Sequence, residues 1–319
     1  MKKYLCLSIV FICSLLVFNL VVLAEEIYSL NEINNMKVKS INIKSINNIM
    51  TEKGLEDIAN RIINYTAPDL YLDNDFNQLT GDIKRYQSVS NQDSYLEINN
   101  NINTILFNKG YDFTKRESTS SLPTEKTAVV FAKKHLKNLD LLPDDSELVL
   151  QNIGGVNMDV YNPRTGDKGS YKKLVIVRYG REISGLPVVG PGSRIIVKLG
   201  SNGQLNGLVY NWTNYSTENI SIESEIRSID SLDQEINKKL RSAAKNGTSG
   251  STKKELVMYD DGKGHIEPAI YVKTDIEFGT GNEIIKSQYD FYVPLLKSPK
   301  AEYPNTTTAL VPPMKDSIN

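Results

Sequence analysis

Three stretches of this chain repeat apolar residues at three- and four-residue steps, the spacing that lines one face of a helix. Leu55, Ile58, Ala59, Ile62 and Tyr65 predict an amphipathic helix over about 52 to 65. Ala128, Phe131, Ala132, His135, Leu136 and Leu139 predict a second over 124–142, with Thr124 as its cap, Glu125 in its first turn and Pro143 as its stop. Leu232, Ile236, Leu240 and Ala243 predict a third over about 231 to 245. There Ser231 and Gln234 make a capping box, and Asn246-Gly247 ends the helix.

Between these helices the pattern changes to short runs rich in Val, Ile, Leu and Tyr, broken by Gly, Asn and Pro. The runs are Glu147–Ile153, Tyr171–Tyr179, Leu186–Val189, Arg194–Leu199 and Leu205–Tyr210, then Lys254–Tyr259, Ile266–Asp275 and Tyr289–Leu295. Asn162-Pro163-Arg164-Thr165-Gly166 reads as a long hairpin tip and Gly200-Ser201-Asn202-Gly203 as a tighter one. A strand around Met36–Ile43 and a short helix over Tyr95–Asn108 complete the prediction, with the polar stretch Arg116–Pro123 as a linker.

A helix followed by several strands thus occurs twice. The expected fold class is α+β: antiparallel twisted sheets each packed on a helix, in two related units over 124–212 and 228–296. Residues 25–115 are expected to form a helical and irregular N-terminal region. Residues 297–319, with four prolines, read as a poorly ordered tail.

The first residues set the expected compartment. Lys2 and Lys3 precede an apolar run from Leu5 to Leu23, and Val22-Leu23-Ala24 offers a cleavage site before Glu25. This pattern predicts a secretory signal peptide over 1–24, with an uncleaved anchor helix as the alternative and the only expected membrane contact. The two cysteines, Cys6 and Cys13, both fall inside that run. A cut after Ala24 leaves a chain without cysteine, held by its core alone. Lys+Arg 37 against Asp+Glu 38 gives a net charge of −1, without the basic tract that nucleic acid would require. The expected location is secreted or extracytoplasmic, with cell-surface association left open.

Candidate chemistry is sparse. His135 sits on an apolar helix face, where a His satisfied by a neighbour is the expected role rather than a ligand. His265 follows Asp260-Asp261-Gly262-Lys263-Gly264, which reads as a turn in preference to a weak cation site. Asp73-Asn74-Asp75 starts like a calcium loop, but Gln78 and Lys84 stand where Gly and an acidic residue are needed, so a helix cap or loop is expected. Asp144-Asp145-Ser146-Glu147 reads as a turn. No zinc-peptidase, nucleophile-elbow or phosphate-loop motif occurs in the sequence. No catalytic residue, metal or cofactor is therefore expected.

At Gly185-Leu186-Pro187-Val188-Val189-Gly190 the sequence meets a recognisable pattern. A strand with this ending, an alternating strand, a Gly-rich hairpin and another strand resemble the propeptide modules of secreted thermolysin- and fungalysin-type metallopeptidases, which belong with PepSY-like domains. The resemblance covers about 124–212 and more faintly 228–296. It implies a non-catalytic module that assists folding of an extracytoplasmic peptidase or inhibits it, although no peptidase domain follows here. Gly185, Pro187, Gly190, Pro191, Gly192, Arg194 and Trp212 are then the candidate partner-binding or sheet-shaping residues. The alternatives are an envelope structural or leader-like scaffold protein with no peptidase partner, and a hydrolase of unrecognised kind.

Overall fold

The computed structural model describes residues 43–45, 51–80, 82–110, 117–144, 148–183, 185–212, 216–218, 226–244, 247–278, 285–304 and 308–310. The expected signal peptide, most of the strand expected near Met36–Ile43 and the end of the C-terminal tail lie outside the described residues. None of the described helices is long and apolar enough to cross a membrane.

In chain order the elements begin with β1 (Ile43–Ser45), α1 (Glu52–Thr66), β2 (Leu70–Leu72), α2 (Asn74–Thr80), β3 (Ile83–Ser88), β4 (Ser94–Asn99) and β5 (Thr104–Lys109). They continue with α3 (Glu125–Asn138), β6 (Leu148–Tyr161), β7 (Lys168–Ile183), β8 (Leu186–Val189), β9 (Arg194–Leu199), β10 (Leu205–Asn211) and β11 (Ser216–Glu218). The last elements are α4 (Ile229–Ala243), β12 (Gly247–Asp260), β13 (His265–Phe278), β14 (Ile285–Pro294) and β15 (Thr308–Leu310).

Strands β2, β3, β4, β5, β10, β9, β7 and β6 pair side by side in that order, all antiparallel. One face of this half is apolar by simple alternation, with Leu96 and Ile98 on β4, Ile105 and Phe107 on β5, and Ile195 and Val197 on β9. Two helices cover it. Helix α1 presents Leu55, Ile58, Ala59 and Ile62, and α3 presents Ala128, Ala132 and Leu136. Each fully buried Leu, Ile or Phe here contributes about 1.5–3 kcal/mol.

The second half is built on β12, β13 and β14. Leu232 and Ile236 of α4 pack on Leu256, Met258, Ile270, Val272, Phe291 and Val293. Strand β8 joins the halves. Its Leu186 and Pro187 pair antiparallel with the end of β7, and its Val188 and Val189 pair parallel with Met258 and Tyr259 of β12. The described strands therefore form a single fifteen-stranded mixed sheet.

This overturns the expected α+β fold of two related units, each a sheet on one helix. Residues 70–109 supply four strands to the first half, two helices instead of one cover that half, and β8 leaves it to pair with β12. The stretch Tyr95–Asn108, expected to be a helix, is β4, a turn and β5. Ser94, Leu96 and Ile98 alternate inward with Tyr95, Glu97 and Asn99, and this two-residue period decides the matter. The third helix starts earlier than its capping-box pattern suggested. Ser228 caps it by accepting from Ser231 N, while the Ser231 hydroxyl accepts from the Arg227 guanidinium.

Candidate functional site

Two places could carry function: the seam at β8 and the open edge at β6. The seam is built from three elements far apart in sequence. Arg181 lies near the end of β7, Ser193 just before β9 and Asp260 at the end of β12, and all three are buried. Arg181 Nη1 donates to Ser193 Oγ at 3.1 Å, and Ser193 Oγ in turn donates to Asp260 Oδ2. Gly262 N donates to Asp260 Oδ1 at 2.8 Å. The Arg181 guanidinium lies 4.1 Å from the centre of the Trp212 ring. Burial raises the Asp260 carboxyl above its ordinary value, and the Ser193 and Gly262 hydrogen bonds and the Arg181 charge offset this in part.

The residues singled out from sequence surround this cluster. Gly185 forms the β7–β8 turn at φ +78°, and Pro187 faces outward on β8. Gly190, at φ +108°, lies so close to β12 that a Cβ would stand 2.3 Å from the Asp260 carbonyl oxygen. A Cβ on Gly192 would overlap the Asp260 carboxylate. Pro191 lies between these two glycines, and Trp212 is buried beneath Arg181. Arg194 opens β9 with its side chain exposed. Sequence reading missed Arg181 and Ser193 and placed Asp260 only in a turn. Their one local signal was the pair Gly190 and Gly192, which implied that another backbone approaches closely there.

The seam is a poor place for chemistry. Ser193 is 1 % exposed and Asp260 0 %, so no substrate reaches the pair from solvent. Neither described histidine joins them. His135 Nε2 bonds the Gly203 carbonyl at 2.8 Å and its Nδ1 the Tyr65 hydroxyl at 2.9 Å, tying α3 to α1 and to the turn before β10. His265 Nδ1 lies 3.2 Å from Asp261 Oδ2 in the β12–β13 turn. Asp73 Oδ1 accepts from Phe76 N and caps α2. Among the described residues, no group of three or more His, Cys, Asp or Glu is placed to hold a metal ion.

The open edge is different. Strand β6 is 14 residues long, pairs only with β7 among the described strands, and has no buried residue along its length. Val149, Leu150 and Tyr161 are large apolar side chains left exposed on it. Its sequence carries one charge, Asp159, and no Lys or Pro, the usual guards of an edge strand. Bulges near Gln151 and at Val156/Asn157 twist it locally.

The opposite side of the second half carries a tyrosine stack. Tyr259 lies 4.6 Å from Tyr292 and 4.5 Å from Tyr303, centre to centre, and Tyr271 lies 5.2 Å from Tyr292. Burial and nearby carboxylates push the Tyr259 and Tyr292 hydroxyls up to about 12, so both remain protonated at any ordinary pH.

No family model matches this chain, and no curated protein does. Among solved structures, an uncharacterized protein from Eubacterium rectale is similar over 84 % of this chain and 86 % of its own, at 13 % identity and a TM-score of 0.44.

Proposed function

We propose that this chain is an exported, non-catalytic binding protein that takes up an extended segment of another extracytoplasmic protein along β6. The observation that carries this reading is the edge of β6 that no other described strand pairs: fourteen residues, none buried, with one charge. A strand in this state presents unpaired N–H and C=O groups in a row, and an extended chain satisfies them by adding a strand. The sealed seam and the structural bonding of His135 and His265 argue against a catalytic role for the groups best suited to one. A secreted peptidase is the partner of choice, because the sequence pattern around Gly185–Gly190 resembles that of peptidase propeptides.

The test uses residues 25–319 and the peptidases secreted by the source organism. The chain is expected to remain with one of them on a sizing column and to slow its turnover of a protein substrate. Val149→Lys with Leu150→Lys places a guard charge on each side of the edge. The double variant is expected to stay folded and to lose at least about tenfold in affinity. A chain that neither retains nor slows any of these peptidases sinks the peptidase reading. Binding that survives the double variant unchanged removes β6 from it.

A further inference from the structure

Residues 297–304 lie across the face of the second half that α4 leaves open. Val257, Tyr259 and Ala269 point to this face, while their neighbours Leu256, Met258 and Ile270 point to α4. The segment is held first by its main chain. Lys300 N donates to Glu267 Oε1 at 2.8 Å and Glu302 N to Asp261 Oδ2 at 3.2 Å, and the Tyr259 hydroxyl donates to the Glu302 carbonyl at 3.3 Å. Contacts of this kind accept an extended chain of any sequence.

The side chains add selectivity. Ala301 is buried in the apolar cluster of Val257 and Ala269, Glu302 pairs with Lys263 at 2.5 Å, and the Tyr303 ring stacks on Tyr259. Part of the seat is held without the segment, because Asp261 Oδ1 accepts from Lys263 N at 2.7 Å and from His265 N at 3.1 Å within the β12–β13 turn. The segment and its seat match imperfectly in their polar groups. Among the described residues, neither the buried Glu267 Oε2 nor the buried Tyr303 hydroxyl has a hydrogen-bond partner. Buried polar groups in a permanent contact are nearly always satisfied. Beyond the segment the face continues past Tyr271 into an open cavity of about 170 Å³ lined by Lys253, Glu255, Lys273, Asp275 and Gln288.

We propose that this face is a peptide-binding site, distinct from the β6 edge, which residues 297–304 occupy in the resting chain. Its ligand is an extended peptide carrying a small, an acidic and an aromatic residue in succession, as Ala301, Glu302 and Tyr303 do. A tethered occupant competes at an effective concentration of about millimolar, so the intact chain binds such a peptide weakly.

The test is a fluorescent peptide with the sequence of residues 297–304, titrated into the full chain and into its Tyr303→Ser variant. The variant is expected to bind at least about tenfold tighter, because its own segment no longer stacks on Tyr259. A peptide with Lys in place of Glu302 is expected to lose binding and to regain it on a chain carrying Lys263→Glu as well. A folded variant that binds no peptide, with no rescue by the charge exchange, overturns the proposal. Should Tyr303→Ser fail to fold, hydrogen exchange on the wild-type chain decides. Exchange at the Lys300 and Glu302 amides well ahead of β13 supports a displaceable segment, and exchange at the global unfolding rate overturns it.

Discussion

Asp260 is buried with several partners and still opposes folding through its charge. Its carboxyl is raised above the ordinary 3.8, burial being the first cause, so the folded chain holds this proton more tightly than the unfolded chain does. Its contribution to stability is therefore fully present below pH 3.8, declines as pH rises from there through the higher folded value, and is level above that. Asp260→Asn removes this component. Urea titrations of the two chains between pH 3 and 7 are expected to show the wild type losing stability relative to the variant as pH rises; parallel profiles would refute the assignment. Asp260→Ala is a different change, because it strips the acceptor from Ser193 Oγ and from Gly262 N, both in the buried cluster. It is expected to lower stability by about 1–3 kcal/mol for each buried donor left unsatisfied. Little of this was legible in the sequence, because residues 181, 193 and 260 meet only after three strands have paired. The glycines at 190 and 192 marked the place without naming the neighbour.

Among the elements, the three long helices were read well, and the short ones and the long-range pairing were not. Helices α1 and α3 begin where the Thr51 and Thr124 hydroxyls accept from Gly54 N and Thr127 N, and Thr124 was visible as a cap from the sequence. Strands β8 and β9 match their expected bounds because Gly and Pro punctuate them. The pair β4 and β5 was misread because Asn99, Asn100, Asn101 and Asn103 interrupt the alternation at the turn, leaving two short strands that resemble one polar helix. For α4 the cap moved to Ser228, so Ser228→Ala is expected to cost about 1 kcal/mol in thermal or urea unfolding. In β6 the amides that face β7 are protected by the ladder, and those on the other edge have no partner among the described strands. Hydrogen exchange is thus expected to alternate along residues 148–161, fast and slow. Uniform protection in the free chain would mean that the edge is already covered, against the proposed use of β6.

At the scale of the molecule, two apolar cores share one sheet through a narrow joint. The first core gathers α1 and α3 over β4, β5, β7, β9 and β10, and the second gathers α4 over β12, β13 and β14 together with β8. The direct strand pairing between them is short: two residue pairs of β8 with β7 and two with β12. Main-chain pairing this brief does not by itself force two large cores to unfold together. The Arg181–Ser193–Asp260 cluster ties β7, the β8–β9 connection and the end of β12 at the same place. Trp212, the sole tryptophan, lies buried at the first core's end of that tie, under Arg181. In the wild-type chain, Trp212 fluorescence and far-ultraviolet circular dichroism are expected to follow one urea transition. In Asp260→Ala the cores are expected to separate into two transitions, with the second half, which has the smaller cluster and one helix, melting first. A single coincident transition in that variant, merely shifted to lower urea, would show that β8 alone couples the halves and that the buried cluster adds stability without adding cooperativity.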